Sequence, residues 1–244
     1  MDQALLQVQS LGKNFGGVQA LEDVSLTVES GAIVGIMGAN GAGKTTLFAL
    51  IAGNEAPSTG EIRFRGRSIV GLRPDQICRR GVARTYQIVR PFAGLTVLEN
   101  VTTAALFGAG LHASHADAQV EAAGIIGEVG LAERIDSPAG ALTLSGQKRL
   151  EIARAVATGA TLVMLDEVMA GLTTAEVEQM LATIRTLHAR RGLTLLVIEH
   201  VMRALMRLSH HIVVLHLGRK IAEGEPEAVA ANEEVLRVYF GEAG

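Results

Sequence analysis

The segment Gly38-Ala39-Asn40-Gly41-Ala42-Gly43-Lys44-Thr45 constrains this chain more than any other. It spells G-x-x-x-x-G-K-[ST]. A glycine-bounded apolar run, Ala32 to Met37, precedes it, and a helical pattern from Lys44 to Ala52 follows, stopping at Gly53. A strand, a glycine-rich turn and a helix in that order aim backbone N–H groups and a helix N-terminus at a chain of phosphates. Lys44 is expected to reach the β- and γ-phosphates, and the Thr45 hydroxyl to ligate Mg²⁺. Thr46, one residue on, is counted with the phosphate-binding set.

Such a loop needs a carboxylate for the metal at the end of a buried strand. Leu162-Val163-Met164-Leu165 is a continuous apolar run of the kind buried on both faces, and Asp166 follows it. Asp166 is the expected metal ligand. Its neighbour Glu167 points elsewhere and is placed to polarise an attacking water.

The remaining pattern surrounds this centre. Leu5 to Val8 and Val24 to Val28 alternate about a Gly16-Gly17 turn, which predicts a small antiparallel sheet, and Glu61 to Arg65 adds another strand. Thr96 is the N-cap of a predicted helix. A second helix spans about 114–130 with Val120, Ala123 and Ile126 at helical spacing, and a third covers roughly 146–157. After these come a helix over 174–191, a strand Leu193 to Ile198, a short helix Val201 to Leu208 and a strand Ile212 to Leu217 turned at Gly218. Alternation of this kind predicts a mostly parallel sheet with helices on its faces.

Composition narrows the classes. Lys and Arg number 22 and Asp and Glu 25, a net charge of −3, which does not steer a chain toward nucleic acid. Cys78 is the single cysteine, so no intrachain disulfide forms. No apolar run reaches the roughly 18 residues of a membrane span, and the start lacks a signal-peptide pattern, so a cytosolic chain is expected. Six histidines, His112, His115, His188, His210, His211 and His216, make no metal-binding set.

Several further segments make the chain resemble the ATP-binding subunits of ABC transporters over nearly its whole length, and in particular the branched-chain amino acid (Liv-type) import group. They are Lys13 to Leu21, Ala83-Arg84-Thr85-Tyr86-Gln87, Leu95 to Asn100, Arg149 to Ala155, and the tail from Gly224-Glu225-Pro226 to Val238-Tyr239-Phe240-Gly241. The resemblance implies that Phe15 stacks on adenine with Ala20 lining the same face. It makes Gln87 the glutamine that touches Mg²⁺ or the attacking water, and His200 the histidine that contacts the γ-phosphate.

The family completes each ATP site with a signature loop, L-S-G-G-Q or similar, from the opposite subunit. Leu144-Ser145-Gly146-Gln147 looks like that motif. A gapless count back from Arg149-Leu150-Glu151 instead places the family's serine at Thr143, with Leu144 and Ser145 where glycines belong. The gapless register is preferred, and Thr143, Ser145 and Gly146 are the candidate contacts. Val168 stands where the family has Pro, and Thr173 where it has the aspartate of the next loop.

The resemblance implies an α/β P-loop ATPase with a mostly parallel core sheet, an N-terminal antiparallel β subdomain and an inserted helical subdomain. Residues 1–86 and 158–244 would form the nucleotide-binding core, and residues 87–157 the helical part. The chain is expected to hydrolyse ATP with Mg²⁺ and to power an importer. It would sit on the cytoplasmic face of the cell membrane through two permease subunits. A second, non-identical ATPase would be its partner, a periplasmic binding protein would serve it indirectly, and no nucleic acid is involved. The alternatives are a lipopolysaccharide-type exporter, a soluble ABC ATPase and a small-molecule kinase.

Overall fold

The computed structural model describes residues 4–86, 91–109 and 114–240, so Gln87 and His112 lie outside the described residues. In chain order the elements are β1 (Ala4–Phe15), β2 (Val18–Glu29), β3 (Ile33–Met37), α1 (Lys44–Ile51), β4 (Thr59–Phe64), β5 (Arg67–Ser68), α2 (Pro74–Arg79) and β6 (Val82–Arg84). Then come α3 (Val97–Phe107), α4 (His115–Glu128), α5 (Leu144–Ala157), β7 (Leu162–Asp166) and α6 (Thr174–Arg191). The chain continues through β8 (Thr194–Ile198), α7 (Met202–Leu208), β9 (His211–His216), β10 (Arg219–Gly224), α8 (Pro226–Ala230) and α9 (Glu233–Phe240). The contacts divide into two compact units, Met1–Pro74 with Thr194–Gly244, and Asp75–Leu193.

The first unit holds an antiparallel sheet in the order β2-β1-β4-β5. Leu6 pairs with Val28 and Phe64, and Val8 with Leu26 and Ile62. All six side chains are buried. Because side chains alternate along a strand, a slip of one residue would turn the whole row into solvent, and this fixes the register. The register shifts between Val8 and Leu11, where Ser10 sits at φ 44° and donates its N–H to Ser25 Oγ at 2.8 Å. The two short alternating windows thus belong to strands of twelve residues that bend at a bulge.

In the same unit β9, β3 and β8 run parallel, with Val34 opposite His211 and Ile33 opposite Leu195. Every residue of β3 and β8 is buried, which is why both read as largely apolar runs without alternation. β10 pairs antiparallel to β9. On α1, Leu47, Phe48 and Ile51 are fully buried, each contributing about 1.5–3 kcal/mol of apolar transfer.

In the second unit β6 and β7 pair in parallel, and α3, α4 and α5 pack on one another. Thr96 caps α3 with a reciprocal box, its Oγ1 accepting from Glu99 N–H and Glu99 Oε2 accepting from Thr96 N–H. The helix expected over 114–130 forms, and of the three residues noted at helical spacing Ile126 lies on its inner face while the other two do not. Val120 is 74% exposed and Ala123 is exposed, while Ala118, Ala122, Ile125, Ile126 and Val129 are buried. Small alanines allow the neighbouring helices to approach, so the buried stripe runs through them rather than through the larger valine. Arg191, closing α6, fastens α4 by donating to both Glu128 oxygens, at 2.7 and 3.0 Å, and to Glu121 at 2.6 Å.

Candidate nucleotide site

β3 ends at Met37 and α1 begins at Lys44, so Gly38 to Gly43 is the whole connection. Gly38 is buried where a side chain has no room. A Cβ there would lie 2.6 Å from the carbonyl oxygen of Leu215 on β9 and 2.8 Å from Ala42 Cβ. Gly43 is the N-cap of α1 at φ 100°, a left-handed conformation that side chains rarely adopt, and no side chain caps the helix. Ala39, Asn40 and Gly41 are exposed along the loop, as is Thr45 in the first helical turn, with Thr46 half-buried beside it. The Lys44 ammonium is 5% exposed and donates to the carbonyls of Gly38 at 2.7 Å and Ala39 at 3.0 Å. A buried cation held by two loop carbonyls at a helix start closed by no side chain is complementary to an anion in charge.

The other expected contacts of this unit fall in three places. Ala20 adjoins the loop, since a Cβ on Gly43 would meet the Ala20 carbonyl oxygen at 2.7 Å. Phe15 is at the β1–β2 turn, 44% exposed, with the Lys13 ammonium 4.6 Å from its ring centroid. The ring is therefore a surface group rather than part of the hairpin core. His200 is exposed in the short connection from β8 to α7. Of the remaining histidines, His210 has a structural partner, its Nδ1 accepting from Ile33 N–H at 3.1 Å.

The second unit carries the carboxylates. Asp166 closes β7 and is 1% exposed. Its Oδ2 accepts from Arg84 Nη2 at 2.7 Å and its N–H donates to Thr85 Oγ1 at 2.9 Å. Its Oδ1 is buried without a hydrogen-bond partner among the described residues. Glu167 follows at φ 53°, 7% exposed, in the left-handed region that costs a residue with a Cβ about 1–2 kcal/mol. Its carbonyl accepts from the buried Lys148 ammonium at 2.7 Å.

At the start of α5, Thr143 is the N-cap and is exposed, its Oγ1 accepting from Gly146 N–H at 3.2 Å. Leu144 is 47% exposed, whereas Ser145 is buried at 7% and Gly146 is buried beside it. The hydroxyl at the helix tip is therefore that of Thr143. Thr173 is the N-cap of α6, in a capping box with Glu176. The Thr173 N–H hydrogen bond holds the Glu176 carboxyl below the usual carboxylate range.

Three charged residues around this end of β7 escaped the sequence reading: Arg84, Lys148 and Glu151. Arg84 pairs with Asp166, and Glu151 on α5 accepts from Tyr86 N–H at 3.2 Å. Removing one member of a buried ion pair such as Arg84–Asp166 typically costs about 3–5 kcal/mol. The available signal was positional: Lys148 and Glu151 are three apart on an otherwise apolar helix face, and Arg84 ends a strand.

The family model for ABC transporters matches residues 21–170, and the model for branched-chain amino acid ATP-binding cassette transporters matches residues 219–244. The chain is 40% identical to the high-affinity branched-chain amino acid transport ATP-binding protein BraF of Pseudomonas aeruginosa, covering 100% of both chains. It is 38% identical to the corresponding LivG protein of Escherichia coli, again over 100% of both. Among solved structures it is similar to a nucleotide-free ATP-binding cassette from an ABC transporter, with a TM-score of 0.87, 28% identity and coverage of 98% and 100%. The ADP conformation of such a cassette matches with a TM-score of 0.88 at 28% identity, covering 98% and 100%.

Proposed function

The chain belongs to the ABC transporter ATP-binding family, and from that premise we propose that it is the ATPase subunit of an importer for branched-chain amino acids or closely related solutes. The observation that carries this reading is the pairing of a complete phosphate loop with full-length likeness to BraF and LivG. The match over residues 219–244 favours this cargo class over a lipopolysaccharide-type exporter, a soluble ABC ATPase or a small-molecule kinase. No described helix is long and apolar enough to cross a membrane, so attachment would come through permease subunits. The cytoplasmic face of the cell membrane, two permeases and a periplasmic binding protein complete the proposed assembly.

ATP hydrolysis here demands positioning and charge compensation rather than covalent chemistry. The loop amides of Gly38 to Thr46 and the Lys44 ammonium would grip the β- and γ-phosphates. Phe15 offers an exposed ring for adenine, beside Ala20. Asp166 Oδ1, buried with no hydrogen-bond partner among the described residues, is a hard oxygen donor of the kind that suits Mg²⁺, and the family resemblance adds the Thr45 hydroxyl and Gln87 as the further ligands. Bound there, Mg²⁺ would neutralise phosphate charge. Glu167 orients the attacking water and accepts its proton, and His200 contacts the γ-phosphate. The exposed cap position of Thr143 favours the gapless register of the signature loop, with its hydroxyl offered to the facing subunit's nucleotide. Leu144 and Ser145 then make a loop bulkier than the family pattern, which supports pairing with a second, non-identical ATPase.

Calorimetry with Mg²⁺ and ATP on the full chain tests the core of this reading, and absence of binding would overturn it. Glu167→Gln is expected to keep ATP affinity while hydrolysis falls by at least about a hundredfold. Co-purification with a polytopic membrane protein tests the transporter assignment.

A further inference from the structure

We propose that Lys148 is a positioning residue for hydrolysis, fixing the left-handed backbone from which the Glu167 side chain projects. The inference rests on the role given to Glu167 above. Glu167 is one of five non-glycine residues at positive φ among those described, at 53°. Such a conformation persists only where the surroundings over-determine it. Two donors hold the Glu167 carbonyl oxygen, the Ala170 N–H at 3.3 Å and, more closely, the Lys148 ammonium, 4% exposed, at 2.7 Å. A buried ammonium aimed at a main-chain carbonyl is a costly arrangement, and a surface lysine would satisfy packing of α5 equally well. Its position adds meaning. Lys148 lies on α5, five residues beyond the Thr143 cap and two beyond Gly146, and Glu151, three residues on, holds the N–H of Tyr86. One face of α5 therefore grips both the residue after β7 and the segment leaving β6. The Lys148 hydrogen bond thus ties the helix that begins at Thr143 to the backbone of Glu167.

The test is Lys148→Met, which keeps the stem and removes the donor, alongside Lys148→Arg, which keeps a cationic donor. ATP turnover of the full-length chain is measured under single-turnover conditions, with ATP affinity by calorimetry. The loss of a charge-assisted hydrogen bond leads us to expect a turnover rate lower by about tenfold to a hundredfold in Lys148→Met, with ATP affinity within about twofold of the parent. Lys148→Arg should recover part of that rate. In a Glu167→Gln background, Lys148→Met should cause no further loss, because its effect runs through the missing carboxylate. A crystal structure of Lys148→Met should show Glu167 out of the left-handed region. If affinity fell in parallel with rate, if the two losses multiplied, or if residue 167 kept its positive φ, Lys148 would be a packing residue only. Full turnover in Glu167→Gln itself would instead remove the role of Glu167 on which the inference stands.

Discussion

Two helices of this chain start at loops that the family reading sends toward phosphate, and they start in opposite ways. α1 begins after a left-handed Gly43 with no side-chain cap, and its first residue is a buried lysine held by two loop carbonyls. α5 begins after an extended Thr143 whose own hydroxyl takes the Gly146 N–H. The first start has no side-chain cap and places a buried cation at its first residue. The second has met part of its own demand and presents a hydroxyl instead. On the function proposed above, the difference would separate a site that binds by itself from one that adds a contact to a nucleotide held elsewhere.

The sharpest way to break this contrast is at Lys44. Lys44→Ala should weaken ATP binding by at least about a hundredfold in calorimetry, given the strength of hydrogen bonds to charged groups. Retained affinity would make the two starts equivalent. Next in size is Gly43→Ala, which puts a Cβ at φ 100° and 2.6 Å from Leu21 Cδ2. It should lower stability by roughly 1–3 kcal/mol and ATP affinity with it, read by denaturant unfolding and titration. Thr143→Ala should cost about 1 kcal/mol of stability, the usual value of a lost cap, and leave the chain's own ATP affinity unchanged. An affinity loss there as large as at Lys44 would erase the distinction.

The smallest effect uses α6 as a reference start with no phosphate role. Its Glu176 has a folded pKa below the ordinary value because of the Thr173 N–H. Its contribution is therefore present above the unfolded carboxylate pKa of about 4.3 and is lost as pH falls toward the depressed folded value. Glu176→Gln should flatten the stability profile in that acid window by removing the small contribution present at neutral pH, and should make no difference below the depressed folded pKa, as followed by thermal unfolding across pH.

Much of this was legible in the sequence where one residue type does one job. Buried parallel strands announced themselves as apolar runs at β3, β7 and β8, and the Thr96 cap and the left-handed Gly53, one residue past the Ala52 C-cap, marked helix ends. What escaped was decided by tertiary neighbours. β6 has three residues, too few for any periodicity. β10 is largely polar and only partly buried, so it shows no apolar pattern. In α4 the alanines won the interface and Val120 lost it, because close helix approach rewards small side chains over hydrophobic bulk. Arg84, Lys148 and Glu151 read in one dimension as ordinary surface charges. Only the fold shows Lys148 and Glu151 buried, with Lys148 on the Glu167 carbonyl, Glu151 on the Tyr86 N–H and Arg84 paired with Asp166.

Gly38 carries a consequence for how such a chain decays. Its missing side chain serves the seam with Leu215 on β9 as much as it serves the phosphate loop. A lineage that stopped using nucleotide could discard the Lys44 ammonium in one step and still fold, but not add even a methyl group at 38. Retired descendants should therefore be recognisable by a lost lysine and a retained glycine.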